Sequence, residues 1–224
     1  MNLAEAISKI EPIDEEVRKQ SIKRWDSIAK PLHSLGKLED GIAQIAGITR
    51  NQEVSLDKKA LVIMCADNGV VEEGVTQSGS EVTAIVSENF LDLNSCACIM
   101  AKAQGADVFP IDIGINRDTK VPNKKVAYGT KNMAKEPAMT KEEAIMAIEV
   151  GIGQVLELKE MGYKIIATGE MGIGNTTTSS AVASVLLRVP VEVVTGKGAG
   201  LSDAGLNHKI QVIKDAIKKH KPDR

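Results

Sequence analysis

The residues best suited to chemistry lie in a glycine-rich stretch, Gly169-Glu170-Met171-Gly172-Ile173-Gly174-Asn175, followed by Thr176, Thr177 and Thr178. Glycines let a backbone approach a ligand closely and adopt positive φ, while Asn175 and the threonines fall where a helix is predicted to begin. Free N–H groups and the helix dipole favour an anion there, so the pattern reads as a phosphate site. It is neither a P-loop, lacking Gly-Lys-Ser/Thr at the right spacing, nor a G-x-G-x-x-G fingerprint. On local pattern alone it also reads as a glycine turn with a threonine cap.

Two further loops belong with it. Gly196-Lys197-Gly198-Ala199-Gly200-Leu201-Ser202-Asp203 sets Lys197 where it would neutralise a phosphate cradled by the neighbouring loop. Cys65-Ala66-Asp67-Asn68-Gly69-Val70, running on through Glu72, Glu73, Gly74, Val75, Thr76, Gln77 and Ser78, puts Asp67 at a strand end. There the carboxylate either anchors the loop backbone or meets ligand hydroxyls, and Asp-Asn-Gly is equally a turn with a local cap. Lys209 follows on a helix, and periodicity leaves open whether it faces the site or water. His33, His208 and His220 are far apart and lack metal-ligand spacing, so no metal site is expected.

The elements that must position these loops alternate. Short apolar runs, Leu61 to Ala66, Val108 to Ile113, Lys164 to Thr168 and Val191 to Thr195, have the length and composition of strands. Between them a helix is predicted from about Glu81 to Gln104, with Val82, Ile85, Val86, Leu93 and Met100 on its apolar side. A second opens with the capping box Thr140/Glu143 and is closed by Gly162. Others cover Ser179 to Leu187 and the segment bearing Leu206, Ile210, Ile213 and Ile217. The pattern predicts an α/β fold: a Rossmann-like parallel sheet with helices on both faces and ligands at the carboxyl ends of the strands. Residues 116–139 read as a long excursion or lid. Residues 1–60 form a helical N-terminal segment, part of a small domain, with Leu32, Leu35, Leu38, Ile42 and Ile45 at helical spacing after Pro31; residues 61–224 form the Rossmann-like domain.

Composition narrows the partners. A net charge of -2 without a basic block gives no footprint for nucleic acid, and 2% aromatic residues leave little for base stacking. No apolar run approaches the ~20 residues of a membrane span. Met1 to Glu16 has neither signal-peptide nor transit-peptide character, so a cytoplasmic location is expected. Cys65, Cys96 and Cys98 read as buried free thiols in a reducing compartment.

Five stretches make the sequence recognisable: Pro31-Leu32-His33-Ser34-Leu35-Gly36-Lys37-Leu38-Glu39, Ala66 to Val70, Gly129-Thr130-Lys131-Asn132, Pro137-Ala138-Met139-Thr140, and Gly169 to Thr177. In order and over nearly the whole chain they resemble the nicotinate-nucleotide-dimethylbenzimidazole phosphoribosyltransferase family. The resemblance implies transfer of the phosphoribosyl group of nicotinate mononucleotide to 5,6-dimethylbenzimidazole, with inversion at the sugar carbon. The products are nicotinate and α-ribazole 5'-phosphate, for the lower nucleotide loop of cobamides. It implies a homodimer, a small helical domain built from both chain ends, and neither metal nor cofactor. It sets phosphate and ribose against Met171, Gly172, Gly174, Asn175, Thr176 and the loop bearing Gly196, Lys197 and Gly198. Glu170 and Lys209 then lie beside the reacting sugar, and the acceptor base near Gln77 and Ser78 after Asp67.

The sequence departs from the family twice. Asn68 stands where the family usually has His. The family's general-base glutamate, in a Gly-Glu-Gly type motif near the carboxyl end, has no counterpart before Arg224. General-base catalysis is worth ~10²–10⁴-fold, about 3–5 kcal/mol of transition-state stabilisation. The chain is therefore expected to bind nucleotide better than it turns it over. The competing reading is a catalytically impaired nucleotide-binding fragment or one half of a split enzyme.

Overall fold

The computed structural model describes residues 1–223 and divides the chain into two compact units, Met1–Asp57 and the chain from Lys58 onward. In the first, α1 (Leu3–Ser8), α2 (Glu15–Asp26) and α3 (Lys37–Thr49) are helical. Small residues let α2 and α3 approach: Ser21, Ala43, Ala46 and Gly47 are buried, and Gly47 O accepts from Asp14 N at 3.0 Å. The helix predicted from Pro31 starts only at Lys37. Gly36, at φ +53, turns the chain just before it, and Leu32, Leu35 and Leu38 remain exposed.

The second unit is built on parallel strands β1 (Lys59–Ala66), β2 (Ala106–Gly114) and β3 (Ile165–Met171), in the order β2-β1-β3. Leu61 pairs with Val108 on one side and Ala167 on the other. Side chains alternate across a strand, so β1 serves two cores. Ile63 and Cys65 pack with Ala84, Phe90 and Cys98 of the helices on one face. Ala60 and Val62 pack with Leu158 and Tyr163 on the other. This is the α/β arrangement read from the alternating pattern.

The first face is covered by α4 (Glu81–Leu91) and α5 (Cys96–Ala103) rather than by one helix to Gln104. Leu93 turns left-handed at φ +54, and the Ser95 side chain caps α5 by accepting from Cys98 N. The face that α4 buries is Thr83, Ala84, Ser87 and Phe90, while Ile85 and Met100 are exposed. Small residues win this interface because helix and sheet lie close. The other face carries α6 (Lys141–Glu160), which opens with the expected reciprocal cap between Thr140 and Glu143 and is followed by Gly162 at φ +87. Residues 116–139 do not stand off as a lid. Residues 122–129 lie parallel to the end of β2, with Asp112 N donating to Pro122 O and Lys124 N to Asp112 O.

After β3 come α7 (Asn175–Leu187), α8 (Val191–Val194) and α9 (Asp203–His220). The strand predicted over Val191 to Thr195 is therefore a single helical turn. Strand propensity records fit to a pleated, half-buried surface, and this segment packs on α7 and α9 instead. Its turn is closed by Val193 N donating to Pro190 O and Thr195 Oγ1 to Val191 O. Among the described residues no helix is long and apolar enough to cross a membrane.

Cys65 and Cys98 are buried, but Cys96 is exposed at the start of α5, against the expectation of three buried thiols. Burial raises the Cys65 pKa to about 11. Thiolate is the reactive form, so one thiol should label rapidly with a maleimide in the native protein, and Cys96→Ser should abolish that fast phase. Mass-resolved labelling checks this; equal rates at all three sites would contradict the burial.

Candidate active site

Three chain segments meet beyond the strand ends of the second unit. Gly172 lies so close under β1 that a Cβ there would stand 2.2 Å from Ala66 O. Gly174, at φ +91, would bring a Cβ within 2.9 Å of Val71 Cγ2. Glycine is required at both, by space at the first and by space and backbone angle at the second. Gly174 is also the N-cap of α7 and offers no side-chain cap; Asn175 N donates to Gly172 O and Thr177 N to Gly174 O, which leaves Thr176 N for an external acceptor. The buried Thr83 of α4 takes Ile173 N on its hydroxyl at 3.0 Å, fixing the loop from below.

The decisive residue is Lys209. The buried stripe of α9 is Lys209, Val212, Ile213 and Ala216, a spacing that turns one face inward. This stripe is rotated from the Leu206, Ile210, Ile213 and Ile217 face expected from hydropathy. Val212 joins Val70 and Val75 of the first loop in an apolar cluster, which clamps α9 to that loop. Lys209, 1% exposed, is carried with it. Its Nζ donates to Thr176 Oγ1 at 2.7 Å and to Gly196 O at 3.1 Å, both neutral oxygens. Burial pushes its pKa below the ordinary lysine value.

Lys209 faces a small cavity of about 70 Å³ also lined by Gly172, Gly174, Asn175, Thr176, Lys197, Gly198, Gln77 and Ser78. A void needs only about 10–15 Å³ of such space to hold one water, so the cavity has room for several waters or a group of phosphate size. None of the residues lining this cavity is Asp or Glu. The Gln77 side-chain amide donates to Gly200 O, tying the first loop to the third across the cavity. Gly196 contributes only its carbonyl, to Lys209.

Several residues named from the sequence stand elsewhere. Lys197 does line the cavity, but it is half exposed and paired with Asp203 at 2.6 Å, so the buried cation there is Lys209. Met171 packs against the core of the α4 and α5 face. Asp67 is 4% exposed and acts as an anchor: Oδ2 accepts from Asn116 N at 2.8 Å, and its main chain bonds Gly114 and Thr130. It lines a separate cavity with Glu72, Ser80 and Tyr128. Glu170 closes β3 and accepts from the Asn175 side-chain amide. Although the residue as a whole is exposed, desolvation at its carboxylate raises its pKa, against the lowering effect of that hydrogen bond. Glu170 and Lys209 thus grip neighbouring residues of the first turn of α7. His208 and His220 bond the main-chain oxygens of Glu73 and Met133. Among the described residues no group of three or more His, Cys, Asp or Glu could hold a metal ion.

The sequence reading missed Thr83, because a threonine inside a helix carries no signal of its partner. It noticed Asn68 only as a departure from the family.

Known proteins resemble the chain in sequence and fold. A family model described as Phosphoribosyltransferase matches residues 10–224. A relative from Clostridium tetani is 48% identical over 99% of this chain and 62% of its own length. One from Ruminiclostridium cellulolyticum is 47% identical over 100% of this chain and 64% of its own. Both are named nicotinate-nucleotide–dimethylbenzimidazole phosphoribosyltransferase. The crystal structure of CobT from Thermus thermophilus matches with a TM-score of 0.85 at 36% identity, over 91% of this chain and 62% of that one. The chain therefore spans less than two thirds of the length of these relatives. By the match of its sequence from residue 10 onward and by its shared fold, the chain belongs to the nicotinate-nucleotide–dimethylbenzimidazole phosphoribosyltransferase family.

Proposed function

We propose that the cavity at Lys209 takes the 5'-phosphate of nicotinate mononucleotide, for transfer of its phosphoribosyl group to dimethylbenzimidazole in cobalamin synthesis. The observation that carries this is a buried ammonium with only neutral oxygens around it. An uncompensated buried charge costs several kcal/mol, and an anionic ligand supplies the missing partner. The uncapped start of α7 adds its dipole with the same sign preference. In this reading Glu170 and Lys209 flank the reacting sugar, Gln77 and Ser78 stand toward the acceptor base, and the site needs no metal. The working form is a cytoplasmic homodimer.

A second reading, a nucleotide-binding module with little turnover, is favoured by the absence of any Asp or Glu among the residues lining the cavity. Glu170 is outside that lining, and a general base must reach the proton it removes. One pair of measurements separates the readings. Nicotinate mononucleotide at ~100 times its Kd should stabilise the chain by about 2.7 kcal/mol, a rise of roughly 5–11 °C in melting temperature. Absence of any shift would contradict the phosphate assignment. A shift without α-ribazole phosphate on adding dimethylbenzimidazole supports the module; steady product formation supports the enzyme.

A further inference from the structure

Asn68 lies against the Gly172–Gly174 turn of the glycine loop. Its side-chain Nδ2 donates to Ile173 O at 3.1 Å, and its Oδ1 lies 3.3 Å from Thr178 Oγ1, sharing the single hydroxyl proton with Asn175 O at 2.9 Å. A Cβ on Gly172 would stand 3.1 Å from its Nδ2, and one on Gly174 3.1 Å from its Cβ. The amide therefore lies between the end of β1 and both ends of the Gly172–Gly174 turn. One hydrogen bond reaches the loop backbone and the other the first turn of α7.

We infer that Asn68 is a positioning residue for the phosphate site: its amide donates to the loop and accepts from α7 at the same time, holding Gly174 and the α7 start in register with Lys209. The role rests on the phosphate reading and deepens it. An amide performs both tasks at every physiological pH. A carboxylate only accepts, and an imidazole does both only while neutral. Loop and helix would otherwise be joined to β1 at this level by sterics alone, and loss of both bonds leaves the N–H groups of the α7 start free to wander from the phosphate position.

The test is calorimetric titration of the full chain with nicotinate mononucleotide, in wild type, Asn68→Leu, Asn68→His and Thr178→Val. Asn68→Leu keeps the bulk and removes both bonds, and should weaken binding about tenfold. Thr178→Val removes the bond to Oδ1 together with the hydroxyl's bond to Asn175 O, leaves the Asn68 bond to Ile173 O in place, and should have the smaller effect. It also serves if Asn68→Leu fails to fold. Asn68→His adds a signature that general destabilisation lacks. Glu170 on β3, Asp67 beside position 68 and Glu72 across the neighbouring cavity would hold the imidazole pKa at or above its ordinary value of about 6.5. The ratio of the Asn68→His Kd to that of wild type, taken at each pH so that titration of the ligand's own phosphate at about pH 6 cancels, should approach one at pH 8 and rise toward the Asn68→Leu ratio by pH 5.5. Failure of wild type itself to bind overturns the phosphate reading. Wild-type binding with an unchanged Kd in Asn68→Leu, or an Asn68→His affinity that follows wild type at all pH values, overturns the role of Asn68 alone.

Discussion

Lys209→Met should weaken nicotinate mononucleotide binding about a hundredfold while leaving the unliganded protein as stable or more so. Removing a buried cation that faces a bound anion costs ~2–5 kcal/mol of affinity, and a hundredfold is near the lower end of that range. Without ligand the sign reverses. The native ammonium is buried beside Thr176 Oγ1 and Gly196 O without a carboxylate. Its desolvation costs several kcal/mol, against about 1–3 kcal/mol for the Gly196 carbonyl left unpaired by methionine. Calorimetry of the free protein and titration with the nucleotide read the two effects separately. A Kd within threefold of wild type would remove Lys209 from the site. A large loss of unliganded stability would mean that the lysine serves the fold rather than the ligand.

The same residue sets a pH dependence with a definite sign. Its native pKa lies below the ordinary lysine value of 10.5 because burial disfavours the ammonium. Below the native pKa both states carry the proton and the full burial cost is present. Between the native value and the unfolded one the unfolded chain binds more protons, so stability rises with pH. The melting temperature of wild type minus that of Lys209→Met, taken pairwise so that other groups cancel, should therefore climb from neutral pH toward pH 10. A flat difference would mean that the lysine is not desolvated.

Gly172→Ala should lower stability by ~3 kcal/mol and remove nucleotide binding with it. The added Cβ would sit 2.2 Å from Ala66 O and 2.8 Å from Glu170 Oε1. The first neighbour is backbone of a central strand and cannot rotate away. Overpacking of this kind costs typically 1–3 kcal/mol, and a main-chain obstacle puts the case at the upper end. For a chain of this size that is a fall of roughly 6–12 °C in melting temperature. Gly151, whose Cβ would meet nothing within 4 Å, is the control: alanine there should be neutral or mildly stabilising, because it lies inside α6. Equal behaviour of the two substitutions would refute the close approach of loop and strand.

Much of the fold was legible because its signals are local. The Thr140/Glu143 cap and Gly162 mark α6 without reference to anything else, and each acts within one helical turn. The apolar runs at Leu61 and Val108 are strands because a sheet with both faces covered needs continuous hydrophobicity, whereas the run at Lys164 forms the edge strand β3, with no buried residue. Where local signals compete, they misled. Val191 to Thr195 has strand composition, yet a strand exists only if a neighbour pairs with it, and this segment lies on helices instead. Hydropathy placed the inner face of α4 on Ile85 and of α9 on Ile210 and Ile217. Close packing chose Thr83, Ala84 and Ser87 in one and Lys209 with Val212 in the other. Periodicity cannot anticipate a charged residue on a buried stripe, because its partners, Thr176 and Gly196, lie far from Lys209 in the chain.

For the site, the sequence by itself determined that a glycine loop enters a helix whose start favours an anion, and its motifs identified the family. Both follow from backbone freedom and helix polarity, which belong to a few consecutive residues. Only the tertiary structure paired Lys197 with Asp203 and buried Lys209 against Thr176. It also made Asp67 an anchor and Asn68 the bridge from β1 to α7. These assignments depend on distances between residues far apart in the chain, and such distances are set by how α9 docks on the first loop through Val70, Val75 and Val212.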